Sequence, residues 1–160
     1  MFLNKRYAQA LVAFRRAGRD REATICDAYL LREKARSIST TTSAARIQAF
    51  ITAANAFIAC ARDSPSKQRA NERLAYHGAA GECYLEARKP KSAGDNYLIA
   101  EQYAAAACAY LEGGFFDDVV EVITQHGNAI DTPRLERLTM AVRMHYSEVY
   151  SDPCLVSEYV

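Results

Sequence analysis

Three times between residues 80 and 113 the chain repeats one small pattern at intervals of thirteen residues. An alanine is followed four positions later by a tyrosine, and three positions after that by another small residue. The copies are Ala80, Tyr84, Ala87; Ala93, Tyr97, Ala100; and Ala106, Tyr110, Gly113. Val119, Ile123 and His126 form a weaker fourth copy. On one continuous helix a step of thirteen residues turns the side chain through about 1300°, so the pattern would drift off any single face. A succession of short helices satisfies it, each about three turns long with one or two linking residues. The small residue lets neighbouring helices approach closely and the aromatic fills the space beside it.

Composition agrees with this reading. Half of the 160 residues are apolar and 24% are charged, the balance of a globular chain. Seven Gly and four Pro leave little material for the tight turns of a β protein. No run of about 18 uninterrupted apolar residues predicts a membrane span. The opening MFLNKRYAQALVAFRRAG is amphipathic from the start and does not read as a secretory signal. Five cysteines, Cys26, Cys60, Cys83, Cys108 and Cys154, are odd in number and form no C-x-x-C. The first four fall among apolar residues on expected helices, where a free thiol is a small core group. That usage suits a reduced, intracellular setting, cytoplasmic or nuclear.

Helical spacing of apolar residues continues on both sides of the repeat. Tyr7, Ala10, Leu11 and Phe14 form a stripe that Gly18 closes, and a second helix runs through Ile25, Ala28 and Tyr29 to about Arg36. SISTTTS, residues 37–43, reads as a loop offering several N-caps. Ile47, Phe50, Ile51, Ala54, Phe57, Ile58 and Ala61 keep the i, i+3, i+4, i+7 rule. Ser64-Pro65 signals the start of a fourth helix, and Thr132-Pro133 the start of the last, with Thr132 as its N-cap. That last helix carries Leu135, Leu138, Val142, His145, Tyr146 and Val149 as its buried stripe and ends near Asp152-Pro153.

The pattern A-x3-F/Y-x2-A/G also occurs at Ala10, Phe14, Ala17, and nearly at Ala53, Phe57, Cys60. It matches the second-helix half of a tetratricopeptide repeat. The first-helix signature is missing, and the matched alanines do not keep the period of about 34 residues. The expected fold is therefore all-α: a degenerate tetratricopeptide-like helical repeat array. About eight antiparallel helices would form a right-handed solenoid. One helical-repeat domain would cover residues 1–150, and residues 151–160 would form a tail.

Longer phrases narrow the comparison. YAQALVAFRRAGRDREATICDAYLLREKAR, LAYHGAAGECYLEARKPKSAGDNYLIAEQYAAAACAYLEGGFFDDVVEVI and LTMAVRMHY resemble the helical region that follows the core of large fungal UvrD-like superfamily 1 helicases. These are relatives of the TPR and ankyrin repeat-containing protein family, and the likeness covers roughly residues 3–148. The resemblance implies a region that packs on, or extends from, an ATP-dependent helicase core. The helicase residues themselves have no counterparts here. No G-x-x-x-x-G-K-[ST] phosphate loop occurs and the chain has no Gly-Lys pair. A stand-alone version or a fragment of such a region is the expectation.

No catalytic residue, cofactor site or metal site is assigned. His77, His126 and His145 are far apart and form neither H-x3-H nor H-E-x-x-H. Asp117 and Asp118 are adjacent, and two such side chains on a helix point about 100° apart. They suit the start of a helix near Phe115 better than paired acid–base work. Charge is unevenly placed: residues 1–80 carry 14 Lys/Arg against 6 Asp/Glu, and residues 81–160 carry 6 against 13. Arg15, Arg16, Arg19 and Arg21 form a basic cluster that could touch a partner or phosphates, and Lys67, Arg69 and Arg73 a smaller one. No aromatics interleave with them as a base-stacking platform requires. The C-terminal Glu-Tyr-Val offers a weak strand-addition motif. The expected function is a non-catalytic protein-interaction scaffold with a protein or peptide partner, or a helicase core in a longer protein. The alternative is a nucleic-acid-binding accessory module using the basic half. No membrane partner and no cofactor are expected.

Overall fold

A computed structural model of the chain describes residues 2–39, 43–63 and 69–151. The Ser64-Pro65 start, Lys67, Asp152-Pro153, Cys154 and the C-terminal motif lie outside the described residues. The fold is all-α, and no strand occurs among the described residues. In chain order the helices are α1 (Phe2–Arg16), α2 (Asp20–Ser37), α3 (Ala44–Arg62) and α4 (Ala70–Glu86). They are followed by α5 (Pro90–Ile99), α6 (Tyr103–Glu112), α7 (Phe116–His126) and α8 (Thr132–Ser151). A 3-10 turn, Gly127–Ala129, precedes α8. Each helix packs on its chain neighbours, and α6 also touches α8.

The thirteen-residue rhythm originates in how the helices end. The Lys89 N–H donates to the Tyr84 carbonyl and the Arg88 N–H to the Leu85 carbonyl, both at 2.9 Å. Gln102 and Glu101 repeat these bonds to Tyr97 and Leu98, as do Phe115 and Gly114 to Tyr110 and Leu111. Arg19 and Gly18 do the same to Phe14 and Arg15. This pair of bonds is a Schellman closure, which satisfies the last carbonyls of a helix and needs one left-handed residue. That residue is Gly18, Arg88, Glu101 or Gly114, at φ of 65°, 56°, 58° and 74°.

The next helix begins at once. Arg19, Lys89, Gln102 and Phe115 accept from the N–H of Ala23, Ala93, Ala106 and Val119 as the first helical bonds of α2, α5, α6 and α7. The tyrosine of the pattern thus marks the third residue from a helix end. The alanine of the following copy sits one turn into the next helix. Ala53, Phe57 and Cys60 are different, because α3 runs on past them to Arg62.

Packing explains the apolar residues in between. Phe50, Ala53, Ala54 and Phe57 of α3 are fully buried among α2 and α4. Each buried phenylalanine contributes about 1.5–3 kcal/mol. This helix is also long and apolar enough, at a mean hydropathy of 1.3, to meet a length-and-composition test for a membrane span. Its two phenylalanines nevertheless turn into the protein. A second cluster joins α5 to α8 around Tyr97, Tyr110, Val119 and Leu138. Leu11, Ala23, Cys26 and Leu30 tie α1 to α2.

Three sequence expectations change in detail. Tyr84 is only half-buried, because it bridges the two larger clusters instead of lying inside one. Cys108 is exposed, unlike the buried Cys26, Cys60 and Cys83. It lies two residues from buried Ala106, about 200° around the helix. The N-cap of α8 is Asp131 and not Thr132: the Arg134 N–H donates to the Asp131 carboxylate at 3.4 Å, and Thr132 is already the first helical residue.

Candidate functional site

The basic residues singled out in the sequence divide into two kinds. Arg15 and Arg16, in the last turn of α1, are exposed. Arg19 is paired with Glu22 at 2.6 Å and lies 5.0 Å over the Phe14 ring. Arg21 reaches Glu72 of α4 at 2.5 Å and ties α2 to it. Two members of the cluster therefore serve the fold's own ion pairs. Of the residues in the packing pattern, Ala80, Ala93 and Ala106 are fully buried and Tyr97 and Tyr110 nearly so, while Tyr84 is half-buried.

A different set of arginines lines a cleft with a volume of about 560 Å³. Arg32 and Arg36 come from α2 and Arg46 from the first turn of α3. Glu82 and Glu86 line it from α4, and Arg88 from the left-handed residue that follows. Glu112, at the end of α6, also lines it. Phe50, Cys83, Leu85 and Tyr97 supply its apolar floor.

The local folding that places these groups is specific. Ser43 caps α3 by accepting the Arg46 N–H at 3.1 Å, which fixes the backbone from which Arg46 extends. The Arg46 guanidinium donates to the Ile38 carbonyl and to Glu86, each at 2.9 Å, and covers the Phe50 ring at 4.9 Å. Arg32 lies 5.1 Å over Tyr29 and 5.5 Å over Phe57. Its Nη1 is 3.3 Å from Glu82 and its Nε 3.9 Å from Glu33, and the buried Nε makes no hydrogen bond. Arg36 turns back to Glu33 at 2.8 Å.

Burial, with Glu82 nearby, pushes the Tyr97 hydroxyl up to about 12. Burial also pushes the Cys83 thiol up to about 11, so the floor of the cleft is neutral at ordinary pH. None of the four arginines stood out in the sequence. A signal existed in the four-residue spacing of Arg32 and Arg36 on α2 and of Glu82 and Glu86 on α4. Fifty residues separate the partners Arg32 and Glu82, so only the packing of α2, α3 and α4 reveals that they meet.

The histidines are separate from the cleft and from one another. His77 Nδ1 lies 3.0 Å from Asn96 Oδ1, His126 stacks on Tyr103 and His145 on Phe116. Among the described residues no group of three His, Cys, Asp or Glu gathers to hold a metal ion. Asp117 and Asp118 open α7 as expected, and each also meets a neighbour: Tyr146 donates to Asp117, and Lys91 to Asp118. No protein-family model, curated protein or solved structure matches the chain.

Proposed function

We propose that this chain is a non-catalytic interaction scaffold, a tetratricopeptide-like stack of antiparallel helices that takes up a protein or peptide partner in the arginine-lined cleft. The observation that carries the reading is the origin of the cleft wall. Its side chains come from α2, α3, α4, α5 and α6, so the surface forms only where several successive helices pack on one another, which supports the reading. Repeat proteins present extended binding surfaces in this way. In this reading the chain corresponds to the helical region beyond the core of a UvrD-like helicase, and the cleft is its point of attachment to a partner.

The test is selection of peptides from a displayed random library on the folded chain, followed by competition with cleft variants. Enriched peptides should lose binding in Arg46→Glu and keep it in Arg134→Glu, which lies on the distant α8. Enrichment of no peptide, or of peptides indifferent to Arg46→Glu, would reject the proposal.

A further inference from the structure

We infer that the cleft recognises an extended acidic peptide, whose two carboxylates take the places now held by Glu82 and Glu86 at Arg32 and Arg46. This rests on the scaffold reading and narrows it to one partner chemistry.

The two halves of each ion pair are unequally held. The Arg46 and Arg32 side chains are 13% and 16% exposed, whereas Glu86 and Glu82 are 53% and 56% exposed. Aromatic rings back both guanidiniums, and Arg46 is also fixed to a backbone carbonyl. The cations therefore belong to the wall, and the carboxylates approach them from the solvent side. An incoming carboxylate has only to displace an exposed surface glutamate, with the guanidiniums already oriented.

Arg32 is the looser of the two. Its contacts of 3.3 and 3.9 Å exceed the roughly 2.7–2.9 Å of a good charge-assisted bond. Tyr97 shows why a ligand oxygen suits this place. One repeat later, the Tyr110 hydroxyl donates to Asp95 at 2.8 Å. The residue in the same register for Tyr97 is Glu82, whose carboxylate is drawn to Arg32 instead. A carboxylate bound at Arg32 completes the bond that the repeat makes elsewhere.

Arg88 adds a third observation. It holds a left-handed conformation at φ 56°, where the last copy of the repeat uses Gly114. Glu101 takes the same conformation in the next copy, so what sets Arg88 apart is its place: it brings a further guanidinium to the cleft.

Spacing and sign select the ligand. Side chains one helical turn apart, such as Glu82 and Glu86, have Cβ atoms about 5–6 Å apart. Alternate residues of an extended chain lie about 6.5–7 Å apart. The cleft volume is in the range of about 300–1,000 Å³ that holds small ligands or a few residues of peptide. Glu112, also in the lining, disfavours a continuous row of phosphates and is free in its chemistry to accept a peptide N–H.

The experiment titrates the folded chain with a fluorescein-labelled Ala-Glu-Ala-Glu-Ala peptide, read by anisotropy, beside its Gln-for-Glu counterpart. The double variant Glu82→Gln with Glu86→Gln should bind the acidic peptide about tenfold tighter than the parent chain, since the competing carboxylates are gone. Arg32→Gln with Arg46→Gln should abolish binding while helicity is retained. Should that variant not fold, Arg88→Gln, at an exposed position, should still weaken binding about threefold. Equal binding of the Gln peptide, or unchanged affinity in the glutamate double variant, overturns the inference. Oligothymidylate displacing the acidic peptide also overturns it, in favour of nucleic acid. Library peptides that need Arg46 but lack acidic residues overturn the inference and leave the scaffold reading standing.

Discussion

The Tyr97 ring occupies space that Gly81 leaves empty: its Cδ1 and Cε1 stand 2.8 Å from where a β-carbon on residue 81 would lie. Tyr110 and Gly94 repeat the relationship more closely still. In both pairs the glycine precedes the tyrosine by sixteen residues, on the preceding helix. Where the fourth copy replaces tyrosine by Ile123, the residue sixteen earlier is Ala107. A smaller side chain meets a larger floor, and the two remain in one cluster.

Gly81→Ala and Gly94→Ala should therefore destabilise the protein. Overpacking costs about 1–3 kcal/mol, offset in part by the roughly 1 kcal/mol that alanine gains over glycine within a helix. Gly78→Ala is the control. The nearest atom to its added β-carbon is the Gln102 amide at 2.8 Å, the far end of a flexible side chain. Urea denaturation followed by circular dichroism should show a loss for the first two and no loss, or a gain, for the third. Equal effects at all three would remove the tyrosine-on-glycine account.

Helix ends give a prediction of the opposite sign. Arg88 and Glu101 hold left-handed conformations that an L side chain occupies at a cost of roughly 1–2 kcal/mol. Arg88→Gly and Glu101→Gly should each raise stability by about 0.5–1 kcal/mol, the entropy of glycine absorbing the remainder. Gly114→Ala should lower it by a similar amount. Nothing lies within 4 Å of a β-carbon at Gly114, so its loss would report backbone strain alone.

The all-α character and the succession of helices were largely legible for a local reason. Closure bonds, left-handed residue and restart of the next helix all fall within the six residues from Tyr84 to Lys89, and the sequence writes that unit repeatedly. The thirteen-residue spacing therefore carried helix lengths and boundaries together. The tyrosine seats carried no such signal, because Gly81 and Gly94 fall outside the alanine–tyrosine pattern and matter only to the following helix. The cleft was hidden for the same reason on a larger scale. Arg46 and Glu86 are forty residues apart and meet only after α3 packs on α4. The basic cluster around Arg19 and Arg21 drew notice because it is contiguous, yet both residues are engaged by Glu22 and Glu72.

The start of α8 separates two adjacent residues by role. Asp131 accepts the Arg134 N–H with its carboxylate and also pairs with the Arg134 guanidinium at 3.3 Å. Asp131→Ala should cost about 0.5–1 kcal/mol through loss of the cap. Thr132→Ala, at an exposed first helical position, should change stability by less than about 0.5 kcal/mol. Matched denaturation curves decide between them, and a larger loss at Thr132 would return the cap to that residue.

The cysteines should divide by burial in both reactivity and pH response. Burial pushes the Cys60 and Cys83 thiols up to about 11, from an ordinary value of 9.0, while Cys108 is exposed. The thiolate is the reactive form, so alkylation at neutral pH with peptide mapping should label Cys108 quickly and the other two only as the chain unfolds. The linkage follows from the same shifts. A thiol with a raised value in the folded state retains its proton when the unfolded chain has lost it, so the folded state binds more protons above pH 9. The stability this contributes is complete below about pH 9 and is lost as pH rises toward 11. Stability measured by urea should fall across that window in the parent chain. Substituting Cys60 and Cys83 by Ala should flatten the fall, the remainder coming from Cys26 and from Tyr29, Tyr76, Tyr84, Tyr97 and Tyr110, which burial also pushes up. An equally steep decline in the double variant would show that the two thiols do not set the alkaline limit.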